Sequence, residues 1–356
     1  MLRQYYQNFT VTDYLTDPVP ENIRFDCGLG TNPFLDDQII QDCLNQASWS
    51  INTYSFARYD RLKRRLLDYW GTTGLNHSNL ALGAGSFSLM RDICGFALDR
   101  GGLTLGYAPQ FPRIESEVWM RQANYVPIYM SGATDDPQQL PPFKFDVKSF
   151  LTSWPDQVNL VYLDNPNNPT GQIISLADIE AVTARAQQAG AITLVDEAYG
   201  DYMEPEESAI NLVRRFDNLV VTRSASKFWG LPNHRIGYAF AAPALVEILE
   251  KTSNPFPFSE FSAAVFIALL DRADDMIGSK LATRQAKTQA IAQLDGLAHT
   301  SDKTPIMVLP VAANILDNHG IHAETCTIVH GLGPGYSRVR LHRDTTALIS
   351  ELRHLI

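Results

Sequence analysis

Between about residue 80 and residue 240, short apolar runs alternate with segments of helical periodicity, and few architectures accommodate that alternation. Leu80-Ala81-Leu82, Leu103-Thr104-Leu105, Tyr125 to Tyr129, Leu160-Val161-Tyr162-Leu163, Ile192 to Val195 and Leu219-Val220-Val221 read as buried strands. Helix-length segments separate them. The clearest runs from Ser175 to Gln188: Ser175 and Asp178 form a capping box, Ile179, Val182 and Ala186 share a face, and Gly190 ends it. Continuous apolar strands alternating with helices predict a mostly parallel sheet covered on both faces, an α/β/α sandwich. Ligands bind such sheets beyond the carboxyl ends of the strands, so the residues that follow each run are the candidates.

After Phe240 the texture changes. Helical segments (Ala244 to Lys251, Ser259 to Asp271, then a long stretch to about Leu294) lead into short strands near Met307 and Val339. The expected division of the 356 residues is an irregular arm over 1–35, a large domain over 36–240 and a smaller α+β domain over 241–356, on which the arm packs. The net charge of −10 argues against nucleic acid or an anionic membrane as a partner, since either requires a basic face. Cys27, Cys43, Cys94 and Cys326 show neither a C-x-x-C pair nor zinc-ligand spacing. No disulfide framework or metal site is expected, and the reduced cytoplasm is the expected compartment. No apolar run approaches the roughly 18 residues of a membrane span, and the first residues carry no secretory apolar segment.

Chemistry-bearing residues follow the strands. Leu82 leads into Gly83-Ala84-Gly85-Ser86 and then a helical pattern through Phe87, Met90, Ile93 and Ala97. Such a turn offers free N–H groups and a positive dipole end to a phosphate. Leu163 leads into Asp164-Asn165-Pro166-Asn167-Asn168-Pro169-Thr170-Gly171, and Val195 into Asp196-Glu197-Ala198-Tyr199. An acid at the end of a buried strand is costly unless it meets a cation or a protonated nitrogen. Val221-Thr222 leads into Arg223-Ser224-Ala225-Ser226-Lys227, with Arg235 eight residues on. A lysine among small hydroxyl residues at a strand end is the setting a Schiff-base lysine requires. A phosphate cradle, an acid for a pyridinium nitrogen, Asn and Tyr for a phenolic oxygen and a lysine for an aldehyde together describe one cofactor, pyridoxal phosphate.

The motifs Asn165 to Gly171, Asp196-Glu197-Ala198-Tyr199 and Ser224-x-Ser226-Lys227-x7-Arg235 resemble those of fold-type I pyridoxal-phosphate enzymes. The resemblance covers nearly the whole chain and is to the branch of histidinol-phosphate aminotransferases and threonine-phosphate decarboxylases. It implies that Lys227 bonds the cofactor and shuttles protons, that Asp196 keeps the pyridine nitrogen protonated, and that Asn168 and Tyr199 hydrogen-bond the ring's 3′-oxygen. It further implies that Phe111 stacks on the ring. Gly85, Ser86 and Phe87 with Ser224, Ser226 and Arg235 hold the phosphate. Tyr54 matches a tyrosine that reaches the phosphate in the partner subunit, implying a homodimer with shared sites. Arg338 matches the arginine that clamps a substrate carboxylate, and Arg340 lies two residues further on the same strand face.

Two departures concern the substrate side. Where that branch carries a phosphate-binding arginine after a Gly-Ile segment, this chain has Gly320-Ile321-His322-Ala323-Glu324-Thr325, with Glu324 at the arginine position. A carboxylate there repels a phosphate dianion and favours a cation. The Ser-x-x-Asn-Phe segment of the branch is also not recognisable in Ser301 to Met307. The expected activity is transamination between an L-amino acid without a phosphate and a 2-oxo acid. The alternative is decarboxylation, or elimination and cyclisation, of a basic amino acid on the same scaffold.

Overall fold

The computed structural model describes residues 19–50, 52, 54, 59–130 and 143–356; the first half of the expected arm lies outside them. The strands are β1 (Phe25–Asp26), β2 (Leu80–Ala84), β3 (Leu103–Ala108), β4 (Asn124–Tyr129), β5 (Val158–Asp164), β6 (Ile192–Glu197), β7 (Leu219–Ser224), β8 (Ile236–Ala241), β9 (Ile306–Leu309), β10 (Ile321–His322), β11 (Glu324–Thr325) and β12 (Ser337–Arg340). The α-helices are α1 (Asp37–Gln46), α2 (Asp60–Tyr69), α3 (Ser86–Ala97), α4 (Arg113–Met120), α5 (Val147–Thr152), α6 (Leu176–Gln188), α7 (Pro243–Thr252), α8 (Glu260–Leu270), α9 (Ile277–Gln293), α10 (Ala313–Asn318) and α11 (Thr345–Leu352). Every strand expected between residues 80 and 221 is present. Ser175 caps α6 as its box predicts, accepting the Asp178 N–H at 3.1 Å.

A seven-stranded sheet runs β2-β8-β7-β6-β5-β3-β4. β3, β4, β5, β6 and β7 are parallel, whereas β8 runs antiparallel to both β2 and β7. β8 was not expected: its sequence, Ile-Gly-Tyr-Ala-Phe-Ala, dilutes the apolar run with small residues. Alternate residues feed the two faces, as the pleat requires. Val161, Leu163, Val195 and Val221 join one core, while Leu160, Tyr162, Leu194 and Val220 pack with Leu89, Met90 and Ile93 of α3 in the other.

A smaller antiparallel sheet runs β11-β12-β9. Its core joins Met307, Leu309 and Val339 to Ala290 of α9, to Leu348 of α11 and to Phe25 and Cys27 of the N-terminal segment. That segment pairs in parallel with β10, and Cys27 also bridges β10 and β12 through backbone hydrogen bonds to His322 and Arg340. α7 packs on α3 and β2, and α8 on α1 and α2, so both lean on the large sheet. All four cysteines are free and buried. Among the described residues no helix is long and apolar enough to cross a membrane.

Candidate active site

The carboxyl ends of β2, β3, β5, β6 and β7 meet at one edge of the large sheet, and β8 starts from that edge because it runs the other way. Gly85, at φ +80°, turns β2 into α3. Gly237 is paired with Gly83 on one side and with Ser224 on the other. A Cβ on Gly237 would sit 2.3 Å from the Gly85 carbonyl carbon and 2.5 Å from the Ser86 nitrogen; one on Gly85 would sit 2.6 Å from Arg235 Nη2. Arg235 itself has left-handed backbone and donates Nη1 to the Pro232 carbonyl. Ser224 Oγ donates to Ser226 Oγ at 2.9 Å and accepts the Ser226 N–H. Glycine approach, the α3 N-terminus, two serine hydroxyls and an arginine thus converge as a cradle for a phosphate. Phe87 stands in the first turn of α3, and its ring carries the Arg113 guanidinium at 5.2 Å.

Next to the cradle lies Lys227, its Nζ 5.6 Å from the centre of the Tyr199 ring. Burial alone would raise the Tyr199 phenol, but the charges of Lys227, Arg338 and Arg340 outweigh it and hold the phenol below its usual range. Asp196 is buried at the end of β6, accepting Thr222 Oγ1 at 3.1 Å and Tyr162 Oη at 3.4 Å. Burial, followed by the charge of Asp164 on the neighbouring strand, pushes its carboxyl up to about 7. Among the described residues no cation pairs with Asp196, so a protonated ring nitrogen would satisfy a charge the chain leaves uncompensated. Behind it, Arg223 reaches Glu197 at 2.6 Å and Asp201 at 3.0 Å in a fully buried cluster that fixes the turn from Asp196 to Tyr199.

The substrate side is an open cleft lined by Phe111, Asn168, Glu324, Ile328, Val329 and Arg338. Arg338 points its guanidinium into it from β12. Nη1 donates to Asn168 Oδ1 at 3.4 Å and Nη2 to the Gly28 carbonyl at 3.3 Å, while Nε is buried and unpartnered. A buried guanidinium whose hydrogen bonds are two long ones to neutral oxygens, with no carboxylate inside hydrogen-bond reach, is set up to take a carboxylate. Glu324 faces the same cleft, opposite Arg338 in the β11–β12 register, with Oε1 3.9 Å from Nη2. Arg340 instead donates to the Asp26 carbonyl at 2.8 Å and packs on Gly30, holding the N-terminal segment. Tyr54 is 69% exposed, with its ring 5.0 Å from that of Phe256.

One group in the site carried no sequence expectation. Asp164, the last residue of β5, is buried and accepts four hydrogen bonds, two of them from the backbones of Phe111 and Asn168. Its position directly before Asn165 to Gly171 was the available signal, but its partners lie far away in sequence. The glycine-lined cradle, the uncompensated Asp196 and Lys227 together fit pyridoxal phosphate in charge and in chemistry.

The family model for aminotransferase class I and II matches residues 27–350. Histidinol-phosphate aminotransferase 2 of Archaeoglobus fulgidus is 30% identical over 243 residues, which are 68% of this chain and 65% of that protein. An aromatic amino acid aminotransferase of Rhodococcus erythropolis is 32% identical over 200 residues, 56% of this chain and 53% of that protein. The match thus spans less than two thirds of either relative's length. Among solved structures, histidinol-phosphate aminotransferase from Sinorhizobium meliloti in complex with pyridoxal-5′-phosphate superposes with a TM-score of 0.78 at 21% identity, over 99% of this chain and 96% of that one.

Proposed function

The chain belongs to the class I and II aminotransferases, and on that premise we propose that it transfers the amino group of an L-amino acid to a 2-oxo acid with pyridoxal phosphate as cofactor. Bound pyridoxal phosphate supplies an aldehyde that condenses with amines and a ring that accepts the electron pair left at a substrate's Cα. Lys227 holds the cofactor covalently through Nζ and, once released, takes the proton from Cα. Asp196 holds a proton on the pyridine nitrogen, which is the electrostatic part of the catalysis. Asn168 and Tyr199 donate to the 3′-oxygen, Phe111 covers the ring face, and Gly85, Ser86, Phe87, Ser224, Ser226 and Arg235 bind the phosphate. Arg338 binds the substrate carboxylate through a two-pronged contact that fixes the amino acid's orientation.

The observation that carries this reading is the uncompensated Asp196 beside the glycine cradle and Lys227. Borohydride reduction of the cofactor-loaded protein tests it: the cofactor becomes fixed to the peptide containing Lys227. Fixation elsewhere, or none, would refute it.

Glu324 sets the substrate's polarity on this reading. Its carboxylate beside Arg338 opposes a phosphate and favours a side chain ending in a cation or hydrogen-bond donor, while Phe111, Ile328 and Val329 accommodate an apolar stem. The half-exposed Phe256 beside Tyr54 supports a homodimer in which Tyr54 completes the partner's phosphate site. The buried free cysteines support a cytoplasmic location.

A further inference from the structure

Asp164 stands one strand from Asp196, directly across the parallel register. Its Oδ1 accepts Asn167 Nδ2 at 3.0 Å and shares the Tyr107 hydroxyl, at 2.8 Å, with Asp164's own carbonyl, at 2.6 Å. Its Oδ2 accepts two backbone N–H groups, of Phe111 at 3.0 Å and of Asn168 at 2.9 Å. An ionised carboxylate offers about four acceptor positions; three N–H donors take three of them, and the Tyr107 hydroxyl divides its one proton between the fourth and the Asp164 carbonyl. The two loops that Oδ2 joins come from different strands: Phe111 follows β3 and Asn168 follows β5. On the reading above, those residues would meet the cofactor ring from different directions, Phe111 across its face and Asn168 at its 3′-oxygen.

We propose that Asp164 is a positioning residue, a buried carboxylate clamp that fixes the distance between Phe111 and Asn168 and so sets the seat of the cofactor ring over Asp196. This rests on the reading given under Proposed function. No neutral side chain reproduces the clamp. An asparagine turns one oxygen into an N–H₂ donor, which then opposes either the two backbone N–H groups or the Asn167 Nδ2 donor. Asn167 tightens the same knot, since its Nδ2 also donates to the Pro109 carbonyl at 3.0 Å and its Oδ1 accepts the Thr170 N–H at 3.0 Å.

The role is separable from simple stability by comparing Asp164→Asn with Tyr107→Phe. The second removes one donor to Asp164 and leaves both backbone contacts in place. In the cofactor-loaded protein, Asp164→Asn is expected to lose at least half of the visible circular dichroism of the bound cofactor. It should also lower kcat by about 10- to 100-fold, the usual scale for losing a buried supporting partner, with KM changed less than threefold. Tyr107→Phe should keep the dichroism and kcat within about twofold of wild type, whatever its melting temperature. Wild-type dichroism and kcat in Asp164→Asn, or equal losses in both variants, would overturn the clamp. A wild-type protein that binds no pyridoxal phosphate would instead refute the functional reading. Should Asp164→Asn not fold, amide hydrogen exchange on the wild-type protein decides: the Phe111 and Asn168 N–H groups are expected to be protected at least 100-fold over free-peptide rates, and unprotected exchange at either would contradict the clamp.

Discussion

Arg338 Nη1 lies 3.4 Å from Asn168 Oδ1, so a strand of the small sheet and a loop at the edge of the large sheet meet at the floor of one cleft. A substrate whose carboxylate engages Arg338 is thereby presented to the residue expected to hold the 3′-oxygen of the ring. Thr304 reinforces the join, donating Oγ1 to the Gly171 carbonyl at 2.8 Å from just before β9.

Arg338→Lys keeps the charge and loses the planar fork. Steady-state kinetics should show kcat/KM for both the amino acid and the oxo acid reduced about 100-fold, or ~3 kcal/mol, mainly through KM. An unchanged KM would remove Arg338 from carboxylate binding.

Glu324→Gln keeps the shape and removes the charge. Across a panel of amino acids it should shift kcat/KM at least tenfold away from cationic side chains and toward neutral aromatic ones. An unaltered preference would mean that Glu324 does not select the substrate.

Gly237→Ala places a methyl against the backbone of Gly85 and Ser86. Overpacking of this kind costs about 1–3 kcal/mol, and cofactor affinity should fall at least tenfold by equilibrium titration. Gly278 in α9, where an added Cβ meets nothing within 4 Å, is the control. Gly278→Ala should raise stability by up to about 1 kcal/mol and leave cofactor affinity alone.

Asp196 links cofactor binding to pH. Its carboxyl rises from 3.8 to about 7 on folding. The folded state therefore binds the proton more tightly than the unfolded state, and this contribution to apoprotein stability is fully present below pH 4 and lost as pH rises to 7. Chemical denaturation of apo Asp196→Asn should show it more stable than wild type at pH 8, by at least about 1 kcal/mol, although its turnover is nearly abolished. Equal stabilities at pH 8 would show that Asp196 is not uncompensated.

Lys287 runs the opposite way. It is fully buried on α9, and its Nζ donates to the carbonyls of Thr304 and Ile306 at the start of β9. Burial lowers its ammonium from 10.5 to about 7. The unfolded state binds the extra proton between those values, so stability should climb from pH 7 to pH 10, and Lys287→Met should flatten that climb.

The large sheet was legible because parallel strands buried on both faces are written as unbroken apolar runs, and the ligand edge follows from strand direction. β8 was not legible, since Gly237 and Ala239 thin its pattern, the glycine for the sake of close approach to the Gly85 turn. Most residues expected to hold the cofactor stand in short runs at strand ends, so local sequence sufficed to single them out as candidates; Phe111 and Tyr54 stand outside those runs. Asp164 escaped because two of its donors, Tyr107 and Phe111, lie more than fifty residues away. The direction of Glu324 likewise depends on the pairing of β11 with β12, which local sequence does not encode.

Amino-group transfer is read out by its first half-reaction. The cofactor-loaded protein is mixed with single amino acids, basic and phosphorylated ones included, without any oxo acid, and the absorbance of the bound cofactor is followed. An unphosphorylated amino acid should convert the cofactor to its amine form with one 2-oxo acid released per site. Release of CO2, ammonia or a cyclised product with the cofactor returned to its aldehyde form would contradict transamination, as would an unaltered spectrum with every amino acid tried.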